Sequence, residues 1–310
     1  MSRHVMATAY GSPDVLTIVD EPTPPPGHGE AVVAVRAAGV NPADVKMYSG
    51  AFGTDPARLP LRLGFEAAGV VTAVGADVDL APGDEVIAFR VSGAYADDIV
   101  APAAALVPKP SDMDWAEAAG LMLTGATAVH ALSATSVRDG DTVLVHAAAG
   151  GVGLMAVQLA VALGARVIGT ASQPNHARLA ELGAEPVAYG DGLADRVRAM
   201  APGGVDAALD LVGSDEAVDV SVELVADRDR IASIAAFARG GAAGIKLLGN
   251  GPGADPGTAI RDAARHRLVE LADQGRLRVF VSDRYPLDSV ADAHRQILTG
   301  RTSGKIVLEP

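Results

Sequence analysis

The clearest hydrophobic pattern in the chain lies between residues 143 and 172. Residues 143–147 (VLVHA) are a short, valine-rich apolar run, the pattern of a buried strand. Gly150, Gly151 and Gly153 follow at once. Residues 154–163 (LMAVQLAVAL) are apolar, poor in β-branched side chains and long enough for a buried helix, and Gly164 stops them. Residues 165–172 (ARVIGTAS) read as a second strand. Strand, glycine turn, helix and strand make a βαβ unit with a phosphate-binding turn. A helix N-terminus offers free N–H groups and partial positive charge to a pyrophosphate, and glycine lets backbone approach closely. Read as G-x-G-x-x-G, the motif has Ala148 in its first position, then Gly150 and Gly153. The flanking strand and helix favour nucleotide binding over an ordinary tight turn. A membrane span is not expected, because His146, Gln158, Arg166 and the glycines interrupt the run.

Before this unit the pattern is one of short strands. Residues 5–9 and 16–20 read as strands around a turn at 11–13, and 22–29 (PTPPPGHG) as an extended connector. Residues 31–38 read as a strand and 39–46 as a loop, extended at Asn41-Pro42. Residues 63–75 are small and β-rich, 82–84 is a turn, and 85–89 and 95–100 are strands. This is a β-rich domain. Helices are expected at 114–120 and 124–135. After the βαβ unit come helices at 176–182, 191–200 and 214–225 and strands at 185–189, 205–212, 230–236 and 244–248. Strands alternating with helices predict a doubly wound parallel sheet. A glycine-rich loop at 249–257 precedes a helix at 258–275, a strand at 277–281, a helix at 287–299 and a strand at 304–308. The last elements rejoin the first domain, because 305–308 (KIVL) suits its sheet. The expected fold is therefore α/β, with a parallel sheet domain at 119–261 inserted in a β-rich domain made of 1–118 and 262–310.

Composition narrows the functional classes. Aromatic residues are 4% of the chain against 49% hydrophobic in all, so Ala, Val and Leu must fill the core. A net charge of -13 without a Lys/Arg run argues against nucleic acid and anionic membranes as partners. The absence of cysteine excludes disulfides, cysteine nucleophiles and thiolate zinc sites. The first residues lack the apolar segment of a signal peptide, so a cytoplasmic protein is expected.

Several short motifs together give the chain a family likeness. They are 39–44 (GVNPAD), 64–69 (GFEAAG) with 74–75, 82–84 (PGD), 93–96 (GAYA), 118–121 (AAGL) with Thr124, 147–153 and 300–308 (GRTSGKIVL). With these the chain resembles, over nearly its whole length, the zinc-free quinone oxidoreductases of the medium-chain dehydrogenase/reductase superfamily, the zeta-crystallin-like group. The resemblance implies a GroES-like catalytic domain, an inserted Rossmann domain, a cleft between them and NADPH-dependent reduction of quinones or enones, usually by homodimers. Zinc relatives carry Gly-His-Glu where this chain has Gly64-Phe65-Glu66, and a ligand cysteine where it has Asn41. No metal ligands are therefore assigned, and the chemistry proceeds without a Lewis acid.

A quinone or enone is already electrophilic. It needs a hydride donor held face-on and a group to stabilise charge on its oxygen. Asn41 and Tyr48 are the candidate donors. Asn41 could equally cap the turn before Pro42, and Tyr48 could be an aromatic on the domain surface. Asp44 and Lys46 suit a structural ion pair, Glu66 a retained structural carboxylate, and the proton can come from solvent. An NAD enzyme places an acid at the end of the second strand, whereas here that end is Gly169-Thr-Ala-Ser172. Ser172 can hydrogen-bond a 2′-phosphate, with His176 and Arg178 adding charge or simply lying on an exposed helix face. NADPH is the expected cofactor, and the weaker His clamp would make its binding pH-dependent. By family position Asn41 is a cofactor-binding residue of the cleft-facing loop, and Thr124 and Thr127 lie by the nicotinamide. Ala148, Gly150, Gly151 and Val152 hold the pyrophosphate, and Tyr189 lies by the adenine. Val212 lies along the cofactor edge, with Ile234 and Lys305 as weaker carry-overs. Residues 48–62 and 237–257 are expected to be loops shaping the pocket mouth. The alternatives are a pathway-specific enoyl or ketone reductase on the same scaffold, and a non-catalytic NADPH-binding sensor or structural protein.

Overall fold

The computed structural model describes residues 1–310. The chain forms two compact units. One comprises Met1–Leu123, Arg265–Gly275 and Val279–Pro310; the other comprises Thr124–Ala264 and Arg276–Arg278.

The second unit is built on a six-stranded sheet, in the order Glu185–Val187, Arg166–Thr170, Thr142–His146, Ala207–Asp210, Ile231–Ser233, Lys246–Leu247. Every pairing in it is parallel. In chain order the strands run 3-2-1-4-5-6, the Rossmann arrangement, and the order reverses beside the first strand. Val143, Leu144 and Val145 are wholly buried, because helices on both faces make a central parallel strand apolar throughout. Leu144, Ile168, Val187, Ala208, Val218 and Ile231 form the core.

The first unit holds a seven-stranded sheet and a three-stranded sheet. In the larger sheet Glu30–Val40 pairs with Glu66–Val74, with Asp98–Pro102 and with the last strand, Lys305–Glu309. Ile306 stands opposite Val40, so the chain's last strand lies in the sheet of its first domain, as the 305–308 pattern predicts.

Several elements differ from the sequence expectation. Residues 39–46 are not all loop: Pro42–Tyr48 is a helix. Pro42 presets the helical φ at its first position, and the Asp44 carboxylate accepts the Asn41 N–H at 2.8 Å, closing a capping arrangement. The helices expected at 114–120 and 124–135 are one helix, Trp115–Ala134. Gly120 costs it about 1 kcal/mol of propensity, too little to break an apolar run of this length. The strand expected at 277–281 lies instead at Val281–Pro286. Leu277 and Val279 are buried without joining a ladder, while the true strand is half polar because alternate residues face water. Within 237–257, Phe237–Ala242 is helical, and within 48–62, Leu61–Arg62 is a strand pairing with Met6 and Ala7.

Candidate active site

At the end of Thr142–His146 the chain turns through Ala147, which takes a left-handed φ of 53°. The Gly150 N–H donates to Ala147 O at 3.0 Å, and Gly150 then caps the helix Gly151–Ala162 with no side chain of its own. The first-turn N–H groups at Gly151 and Val152 are thus left without a side-chain cap, as an anion requires. At Gly153 a Cβ would collide with Ala147 O and lie 2.7 Å from Ala148 Cα, so only glycine lets the helix sit on the turn. Ala148 is wholly buried, and its N–H donates to Thr170 O at 3.0 Å. Its φ is not positive, so alanine serves where the motif has glycine.

Arg166–Thr170 ends two residues before Ser172. Ser172 caps a short turn, Gln173–Asn175, and its Oγ accepts from Asn175 Nδ2 at 3.0 Å. The hydroxyl proton of Ser172 is therefore available to another acceptor. His176 Nε2 lies 3.1 Å from Ala171 O, so Nε2 carries a proton and the ring is tied back beside Ser172. Arg178 lies in the next helix, His176–Glu181. Asn175 is a residue that the sequence reading missed. Its only signal was an amide three residues beyond a serine in a proline turn.

The loops after the fourth and fifth strands share one buried anchor. Asp210 Oδ1 accepts from Val212 N at 3.1 Å and Gly213 N at 2.7 Å, and Oδ2 accepts from Ser233 Oγ at 2.6 Å. Ser233 Oγ in turn accepts from Ala235 N and Ala236 N. The Ile234 N–H donates to Asp210 O at 3.1 Å. Asp210 thus positions both Val212 and Ile234, and it too was missed, because one acid inside an apolar strand carries no motif. Val212 and Tyr189 are exposed, and Thr124 and Thr127 are buried in the helix Trp115–Ala134.

In the first unit Asn41 and Lys305 come together around Glu66. Lys305 Nζ donates to Asn41 Oδ1 at 2.7 Å, Glu66 Oε1 at 2.8 Å and Val40 O at 3.2 Å. Asn41 Nδ2 donates to Glu66 Oε1 and to Gly39 O, each at 3.1 Å. Glu66 Oε2 accepts the Leu123 N–H at 2.8 Å. Both amide protons of Asn41 are thus committed inside the protein. The donor that the sequence suggested for a substrate carbonyl is turned inward, because a buried carboxylate competes for it.

Tyr48 departs from both of its sequence readings. It is fully buried, its hydroxyl 2.8 Å from His294 Nδ1 and its ring stacked on the imidazole. Tyr95 meets the same imidazole edge-on. The Tyr95 hydroxyl and His294 Nε2 are buried without a hydrogen bond of normal geometry. Asp44 is wholly buried, accepting also from the Gly64 N–H at 3.2 Å, and burial pushes its carboxyl up to about 7. Burial raises the Tyr48 phenol above its ordinary range and lowers the His294 imidazole to about 4. Asp44 thus accepts from two backbone N–H groups, and burial lowers the Lys46 ammonium.

Residues 27–111 match the family described as the alcohol dehydrogenase GroES-like domain, and residues 182–308 match the zinc-binding dehydrogenases. The second description implies a zinc ion, and the donor set does not fit one. No three His, Cys, Asp or Glu side chains come together, cysteine is absent, and the oxygens of Asn41 and Glu66 already bind an ammonium group. Over the whole length of both chains the protein is 36% identical to a quinone oxidoreductase of Pseudomonas aeruginosa. A mycobacterial protein solved in complex with NADPH superposes with a TM-score of 0.87 at 35% identity, covering all of both chains. The CurK enoyl reductase superposes with a TM-score of 0.87 at 26% identity, covering 99% of each. With a Rossmann sheet, a GroES-like β domain and this full-length likeness, the chain belongs to the medium-chain dehydrogenase/reductase superfamily, with quinone oxidoreductases among its relatives.

Proposed function

We propose that the protein is an NADPH-dependent reductase of quinones or α,β-unsaturated carbonyls that works without zinc. The observation that carries this reading is the closed set Lys305, Glu66 and Asn41, which leaves no donors for a Lewis acid. Conjugated carbonyls need none, because the conjugated system itself accepts a hydride. A bound nicotinamide supplies that hydride. The likeness to a quinone oxidoreductase and to an NADPH complex supports the same reading.

In this reading the glycine turn at Gly150, Gly151 and Val152 holds the pyrophosphate, and Ser172, with His176 and Arg178, holds the 2′-phosphate. Asp210 sets the loops carrying Val212 and Ile234 along the dinucleotide, Thr124 and Thr127 line the nicotinamide, and Tyr189 lies by the adenine. The proton that completes the reduction comes from solvent. The protein works as a homodimer in the cytoplasm. No helix is long and apolar enough to cross a membrane.

The test is NADPH oxidation with benzoquinone, naphthoquinone, a simple enone and an enoyl thioester. Steady turnover with a quinone supports the proposal. Turnover confined to enoyl thioesters supports instead the enoyl reductase reading suggested by CurK. Saturable NADPH binding without turnover on any of them overturns both and leaves a binding protein.

A further inference from the structure

We propose that the Lys305 ammonium is a resident cation: it fills the cation position of the Glu66 and Asn41 donor set, excludes a metal ion from it and fixes the Asn41 amide. The three N–H groups of an ammonium meet three acceptors at 2.7, 2.8 and 3.2 Å, so its donor capacity is used in full. The set closes on itself, because Asn41 also donates to the same Glu66 oxygen. Lys305 is 4% exposed and Glu66 not at all.

The backbone delivers the charge to this place. Ile306 pairs with Val40, so position 305 falls beside Asn41 across the ladder. The Lys305 N–H is held by Phe280 O at 2.8 Å. On the other side Gly39 makes room. A Cβ there would lie 2.5 Å from Glu66 Oε1 and from Ala119 O. A buried carboxylate without a counter-charge is unfavourable, and a metal ion could supply that charge. Here a covalently attached ammonium does so, and a second cation on the same oxygens would be repelled. The remaining ligands, one carboxylate oxygen, one amide oxygen and one carbonyl, lack the nitrogen and sulfur donors that zinc prefers. Lys305 and Glu66 are thus positioning residues. Nothing in the arrangement requires Lys305 to touch the cofactor.

The test is chemical rescue of Lys305→Ala, read by thermal unfolding. The variant is expected to melt several degrees below the parent. Methylammonium chloride should restore it saturably by entering the vacated position, and tetramethylammonium chloride at equal ionic strength should not, having no N–H to donate. The parent should respond to neither salt. Equal melting of variant and parent, or equal response to both salts, overturns the proposal. Should Lys305→Ala not fold, the double variant Lys305→Met/Glu66→Gln removes both charges and is expected to fold. Its failure to fold also overturns the proposal. After dialysis against zinc, the parent should retain no stoichiometric metal; one zinc per chain that is lost on replacing Glu66 overturns it. No readout depends on turnover, so a failure of quinone reduction leaves this test intact.

Discussion

Lys305 Nζ and Glu66 Oε1 stand 2.8 Å apart with both side chains withdrawn from water. Removing one member of such a pair strands the other as an uncompensated buried charge, which costs about 3–5 kcal/mol. Glu66→Ala is therefore expected to lower stability by that order in urea unfolding. Glu66→Gln should cost less, since an amide oxygen still accepts from Lys305. Equal midpoints for the two variants would contradict the role given to the charge.

Three buried groups set opposing pH dependences. Burial lowers His146 and His294 to about 4, so the unfolded chain binds their protons first as pH falls below about 6.5. Stability from these two is present above that pH and lost between about 6.5 and about 4. Asp44 acts the other way. Its carboxyl is raised to about 7, so the folded state holds a proton that the unfolded chain has released, and its contribution is lost as pH rises from about 4 to about 7. Each group changes stability by at most about 1.4 kcal/mol per pH unit. Asp44→Asn should therefore steepen the acid lability between pH ~4.5 and ~6.5. An unchanged difference between the two pH values in urea midpoints would count against the burial of an ionisable Asp44.

Gly153 has no room for a side chain, because the helix start rests on Ala147 and Ala148. Gly153→Ala should cost about 1–3 kcal/mol by overpacking. It should also weaken NADPH binding at least about tenfold, an extra loss of about 1.4 kcal/mol. Fluorescence titration checks the second figure, and intact affinity would remove the turn from the cofactor site.

Ser172 accepts from Asn175, which leaves its own proton free to donate. Ser172→Asp should shift the kcat/KM ratio toward NADH by about tenfold or more, through repulsion of a 2′-phosphate. Asn175→Ala should weaken NADPH but not NADH. Unchanged relative kinetics for the two cofactors would sink the assignment of this turn.

Asp210 satisfies Val212 N, Gly213 N and Ser233 Oγ at once. A buried donor stripped of its partner costs about 1–3 kcal/mol, so Asp210→Ala should lose about that much at the buried Ser233 Oγ and less at the part-buried Val212 and Gly213 N–H groups. Cofactor affinity should fall with it. A stable Asp210→Ala with normal NADPH binding would show that the two loops hold themselves.

The local elements were the legible part. The first βαβ unit, the glycine turn and the return of 305–308 to the first sheet all follow from apolar runs and glycine positions, which report local geometry and burial. Boundaries were less legible where two local rules competed. Asn41-Pro42 signals extended chain, yet the same proline opens a helix once Asp44 caps it. Val281–Pro286 hides its strand because half its residues face water.

The candidate site side chains mark the limit of sequence reading. Residue type and spacing made Asn41, Tyr48 and Lys305 candidates and ruled out cysteine chemistry. They could not say where the polar protons go. Asn41 gives both to Gly39 and Glu66, Tyr48 is turned onto His294, and Lys305 is drawn 264 positions along the chain to meet Asn41. Periodicity is a property of neighbouring residues and is written in the chain itself. The partner of a buried charge is chosen by desolvation among groups distant in sequence, and only the tertiary structure decides it.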